Sequence, residues 1–389
     1  MKLTPPLLSH MLDACRWVGA LLVLAVHGNN IFLNLSDIMS APHAAPVYGW
    51  WFFVNVELGH QAVVGFFVMS GYLVGGAALR YTLQGEDYLR EYMVHRVARI
   101  YVVLAPAVAF TFLADTLGRM FFSASGVYDW PGFQDHFALW RIGANLLNLQ
   151  TIYTDFYGTN GPLWSLACEF WYYVTFPLLL LPLTRSYTPL LRYGGFALGV
   201  AIFATLSWPP SYFRIGALIW AIGMVATQAT RPLMKSRWAA LLLYTAVVIA
   251  LRLILRDPTR VDPWIQNGAD LVNTLAFVNL IVTLRFATQE GWALFQPTLH
   301  QKLADFSFSL YCIHVPLLML LRAAATIWFG AGWVEQTATP QNWLAAFAAM
   351  AICIVTGYGF SRLTEAHTSA ARRALRRWLT PTQPGVSAP

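Results

Sequence analysis

Charge is scarce in this chain: Asp, Glu, Lys and Arg make up 11% of its 389 residues, against about a quarter in soluble domains. So few charges cannot coat a water-facing surface, which excludes an ordinary soluble protein. Cysteine is rarer still. Cys15, Cys168, Cys312 and Cys353 stand in or beside apolar runs without close pairing, so neither a disulfide framework nor a zinc site is expected, and no metal is called for. No low-complexity linker, internal repeat or appended soluble domain interrupts the sequence.

What is abundant is apolar surface: 57% hydrophobic and 15% aromatic residues, with a mean hydropathy of +0.52. Runs of about 20 apolar residues, the length that crosses a hydrocarbon core, begin and end near Trp17 to Leu35, Gln61 to Leu79, Ile100 to Leu117, Gly161 to Leu183, Tyr193 to Trp208, Tyr212 to Ala229, Trp238 to Leu255, Ile265 to Ala287, Ala304 to Phe329 and Asn342 to Leu363. The expected fold is an all-α, polytopic membrane bundle of about ten helices forming one domain over 1–389. The first run is read as a retained helix, because a cleaved signal core would have to contain His27, Asn29 and Asn30.

With the N-terminus inside, eighteen of the 25 Lys and Arg residues fall on inner segments and six on outer ones, with Arg322 inside a helix. Basic loops stay on the cytoplasmic side, so both termini are expected there and the net charge of +7 needs no nucleic acid. The segment FALWRIGANLLNLQTIY has apolar spacing suited to a helix lying along the interface. The chain from 379 to 389 is expected to be a disordered tail after a basic anchor that meets membrane lipids.

Depth sorts the ionisable residues. Asp115, Arg214, Asp270 and Arg322 fall near outer helix ends, where they are expected to snorkel or meet water. Three groups lie near mid-depth. His27 is eleven residues beyond Arg16, roughly 16 Å at about 1.5 Å per residue; Glu169 and His314 lie about 12 and 15 Å into their own helices. Eleven helical steps leave Arg16 and His27 only about 20° apart around the axis, and Asp13 about 40° away on the other side. A helix facing lipid alone has no use for such a stripe. His27 is therefore expected to face a polar cavity entered past Arg16, where an imidazole suits proton transfer; a buried His satisfied by a carbonyl is the alternative.

Arg96 and Arg99 in HRVARIY share a helical face with spacing three, and with Arg16 they can hold a polyphosphate, although positive-inside anchors would look the same. In GFFVMSGYLVGG, Gly71, Gly75 and Gly76 permit close packing, and Ser70 has no base beside it. Glu169 in WSLACEFWYY needs a partner or a proton, and a histidine at matching depth is the natural one; a structural hydrogen bond competes.

These stretches, LDACRWVGALLVLAVH, FFVMSGYLVGG, RVARIY, WSLACEFWYY and FSFSLYCIHVPLL, taken in order resemble the acyltransferase 3 family of membrane acyltransferases that modify sugars and related acceptors. Ala14 and Trp17 replace glycines usual around the first Arg, Phe170 stands where a second acid is frequent, and the Pro expected soon after Tyr101 is delayed to Pro106. The resemblance implies transfer of an acyl group, most often acetyl, from cytoplasmic acyl-CoA to a glycan hydroxyl presented on the other face; the short loops and the retained first helix suit a bacterial inner membrane. It implies His27 as general base or transient acyl carrier, Glu169 orienting it, and Arg16, Arg96 and Arg99 on the donor phosphates. Asp13, Ser70, Tyr311 and His314 would support them. Tyr48, Trp50, Trp51, Trp130 and Trp140, with Asp129, Asp135 and Asp155, would offer an outer acceptor surface, though interfacial aromatics are common anyway. A transporter or flippase for a lipid-linked glycan is the competing class; it would more naturally show paired repeats and interrupted helices.

Overall fold

A computed structural model describes residues 5–33, 42–133, 135–208, 211–255, 262–287, 297–330 and 338–379. The described residues form helices and no strand. Nine helical stretches among them are long and apolar enough to cross a membrane, and the expected tail beyond Leu379 lies outside the described residues.

α1 (Pro6–Phe32) opens on a proline, whose missing N–H costs nothing in a first turn. After the short α2 (Ala45–Phe53), Asn55 caps α3 (Val56–Ser70) by accepting from Leu58 N at 3.0 Å. A π-helical turn, Gly71–Gly75, then leads into α4 (Gly76–Gln84). The glycines are there for contact: a Cβ on Gly71 would collide with the backbone carbonyl of Trp220, and one on Gly76 with the Thr227 side chain.

α5 (Leu89–Phe121) is 33 residues long, about 50 Å, which exceeds a hydrocarbon core of about 30 Å. The span expected from Ile100 thus begins eleven residues earlier, because Arg90, Arg96 and Arg99 extend it as a charged helix where hydropathy alone cannot register one. The expected interfacial helix shrinks to α6 (Trp140–Leu146), followed by turns with Asn148 and Thr151 at positive φ.

The chain continues through α7 (Leu163–Leu180), α8 (Pro189–Ser207), α9 (Phe213–Ala226), α10 (Arg237–Ile254), α11 (Pro263–Arg285), α12 (Pro297–Ala304), α13 (Ser307–Phe329), α14 (Pro340–Leu363) and α15 (Thr368–Leu379). α9, the sixth expected span, has only 14 residues, about 21 Å. α13 is the most enclosed, packing on α1, α5 and α14, whereas α8 and α10 leave most of their apolar side chains exposed. Buried polar side chains are densest on α11, with Asp270, Asn273, Thr274, Thr283 and Arg285, and on α13, with Ser307, Ser309, His314, Arg322 and Thr326.

Candidate active site

A cavity of about 690 Å³ opens among α1, α3, α5, α7 and α13. Its walls carry Arg16, Ser70, Arg96, Arg99, Glu169 and Tyr311, so six residues singled out in the sequence meet on one surface. Arg16 pairs with Asp13 at 3.2 Å, one helical turn away. Arg96 lies 5.7 Å over the Tyr173 ring, and its buried Nε has no hydrogen-bond partner among the described residues. Arg99 is engaged: it pairs at 2.5 Å with Glu365, a buried carboxylate that also accepts from the Ser309 hydroxyl at 2.9 Å.

Glu169 is not the partner of an imidazole here. It accepts from the Tyr173 hydroxyl, one turn further along α7. Because a carboxylate only accepts, the bonds beyond it are ordered too. Tyr173 OH receives the Ser70 hydroxyl proton across 3.0 Å, and Ser70 Oγ accepts from Trp220 Nε1 at 3.0 Å. Ser70 has both its proton and a lone pair committed to these bonds.

His27 meets His314 instead, with Nδ1 of His27 and Nε2 of His314 3.1 Å apart. The neighbouring carbonyls fix the tautomers. His314 Nδ1 lies 2.7 Å from Tyr311 O, and a carbonyl accepts only, so that nitrogen carries the proton and Nε2 of the neutral ring is an acceptor. His27 Nδ1, 2.9 Å from Val23 O, therefore carries the proton, and its single N–H is shared between that carbonyl and His314 Nε2. The lone pair of His27 is therefore left on Nε2. His314 is 1% exposed, whereas His27 keeps some accessible surface.

The expected passage from Arg16 to His27 is not one lined channel. The cavity ends on Ala20, Phe66, Ser165 and Tyr311, and neither imidazole is part of its lining. Tyr311 stands between the two: its hydroxyl donates to Pro162 O at 2.9 Å and accepts from Ser165 at 2.7 Å, while its carbonyl holds His314. An edge-on contact of the Tyr311 and Phe66 rings fills the intervening space.

Three polar residues expected to snorkel do not. Asp115, Asp270 and Arg322 are at most 1% exposed; Arg214 alone of the four is exposed. Asp115 accepts from the backbone and hydroxyl of Thr159, both at 2.9 Å. Asp270 accepts from Tyr212 at 2.6 Å and Gln61 at 3.1 Å and pairs with His60 at 2.9 Å. These partners satisfy the two carboxylates inside the protein, which removes their need to reach water. On the expected acceptor side, Trp50 bonds Asn29, Trp51 lies under Arg252, and Asp155 pairs with Arg141, while Tyr48, Trp130 and Trp140 are exposed. No group of His, Cys, Asp or Glu among the described residues is placed to hold a metal.

Sequence reasoning passed over Tyr173 and Ser165, although they stand four residues either side of Glu169 on one helical face. Glu365 carried no comparable signal.

Bundle and site together define a polytopic membrane protein with a largely apolar internal cavity whose wall carries arginine and carboxylate side chains. The family model described as an acyltransferase domain matches residues 10–361, so the chain belongs to that acyltransferase family. The acyltransferase MdmB of Streptomyces mycarofaciens is 26% identical over 386 residues, an alignment covering 89% of this chain and 88% of the relative. No solved structure matches the chain significantly.

Proposed function

We propose that this acyltransferase moves an acyl group, acetyl in the first instance, from cytoplasmic acyl-CoA to a hydroxyl of an extracytoplasmic or lipid-linked glycan, working in a bacterial inner membrane. The observation that carries the proposal is the ordered imidazole pair, which leaves an acceptor nitrogen, His27 Nε2, on the ring that keeps accessible surface. A general base needs a free lone pair, and the neutral His27 ring supplies one. The cavity supports the donor half of the reading. Its arginines suit phosphates, and the unpartnered Nε of Arg96 fits an anion.

In this scheme the acceptor hydroxyl gives its proton to His27 Nε2 as its oxygen attacks the thioester carbonyl. The C–O ester bond forms, the C–S bond breaks, and the proton passes from His27 to the departing CoA sulfur. His314 stabilises the charged His27 by accepting from its Nδ1. The acyl end reaches His27 once the Tyr311 and Phe66 rings part. Glu169 acts through Tyr173 on the cavity wall rather than on His27.

Membranes containing the protein are expected to consume acetyl-CoA and esterify a glycan, and His27→Ala to lower the rate at least about a hundredfold while the protein stays inserted. Wild-type acylation by that variant removes His27 from the chemistry. Protein-dependent export of unmodified glycan, without thioester consumption, points to a transporter instead.

A further inference from the structure

The segment after the last long helix carries Arg372, Arg373, Arg376 and Arg377, and the structure seats it against α5. The two run antiparallel. Arg99 pairs with Glu365 at one end, in the turn that leads into α15; Arg376 pairs with Glu91 and lies 3.1 Å from His95 Nε2 in the middle; Arg90 donates to Leu379 O at 2.9 Å at the other end. Glu91 and His95 also line the cavity, beside Arg96 and Arg99. Arg372 adds its positive charge to those of Arg96 and Arg376 around His95, and its buried Nε has no hydrogen-bond partner among the described residues. Arg376 is exposed but held by Glu91, whereas Arg373 and Arg377 are exposed and form no ion pair with α5 among the described residues.

We propose that α15 is a wall of the donor site, with Arg372 and Arg376 binding the 3′-phosphate on the ribose of coenzyme A. The inference rests on the donor reading above and adds to it the end of the molecule farthest from the thioester. In coenzyme A the thiol, pantetheine arm, pyrophosphate and ribose phosphate follow in that order. Along α5, Arg99 and Arg96 follow Glu91 by eight and five residues, about 12 and 8 Å, so a pyrophosphate beside those arginines leaves the ribose phosphate near Arg376. Without ligand, the Glu91 carboxylate holds the place of that phosphate, which competes for Arg376 with more charge and more acceptor oxygens. α15 lies beyond the 10–361 stretch that the family model matches.

The test is calorimetric titration of the full chain in lipid nanodiscs with coenzyme A and with 3′-dephospho-coenzyme A. The wild type is expected to prefer coenzyme A by about tenfold, the value of one charge-assisted contact. Arg372→Gln with Arg376→Gln abolishes that preference while 3′-dephospho-coenzyme A binds unchanged, which also shows that the site remains folded. Arg373→Gln with Arg377→Gln keeps the preference, and Glu91→Gln strengthens coenzyme A binding. A Arg372→Gln, Arg376→Gln double variant that still discriminates overturns the assignment, as does a wild type that binds both probes equally. A wild type that binds neither overturns the donor reading, and this inference with it.

Discussion

His314 is enclosed by protein and held at both ring nitrogens, one by the Tyr311 carbonyl and one by His27. Its place in the proposed chemistry is to take the proton-bearing side of His27 and stabilise the charge that forms there. His314→Ala is expected to lower kcat about tenfold, the value of one hydrogen bond of about 1.4 kcal/mol, with donor KM unchanged. His314→Gln, whose amide oxygen can accept the same bond, recovers part of the loss. Equal rates for the two variants remove the hydrogen bond from the mechanism and leave packing alone. Both imidazoles are legible in the sequence because an ionisable group far inside an apolar run is visible in one dimension. Their pairing was not visible, since it joins α1 to α13. The same blindness gave His27 to Glu169, when the true partner of Glu169 was Tyr173, four residues away on its own helix and legible from spacing.

The contact of α3 with α9 depends on having no side chain at Gly71, where the π-helical turn lies against the Trp220 carbonyl. A methyl group there meets backbone, which cannot rotate aside. Gly71→Ala is therefore expected to cost about 1 to 3 kcal/mol and to lower the thermal unfolding midpoint of the detergent-purified protein. An unchanged midpoint would mean that the two helices separate freely, and that the glycines serve no packing role. Most helices were legible because a run of apolar residues reports its own length. α5 overshot its expected start because charged helix outside the hydrocarbon leaves hydropathy unmarked, and the segment around α6 fell short because turns at Asn148 and Thr151 stop it. The π turn in FFVMSGYLVGG left only its glycines as a trace.

Across the bundle, the polar groups inside it fall into two kinds. Asp115 and Asp270 are satisfied by neighbours and explain themselves as structure, while Arg16, Arg96 and Glu169 keep a face on a cavity large enough for a pantetheine arm. Position in the sequence cannot separate these kinds, because the partners of Asp270 come from α3 and from the residue before α9 as well as its own helix. Arg99 sits between them, facing the cavity but held by Glu365. If the cavity takes the donor from one side and His27 takes the acceptor from the other, damage to the two should separate kinetically. Arg16→Ala and Arg96→Ala are each expected to raise donor KM about tenfold, by losing one charge-assisted contact to phosphate, and to leave acceptor KM within about twofold. The measurement is initial rate against each substrate at saturation of the other, in membranes with matched protein content. A rise confined to acceptor KM would place the glycan in this cavity and the donor elsewhere, reversing the direction of transfer assigned here.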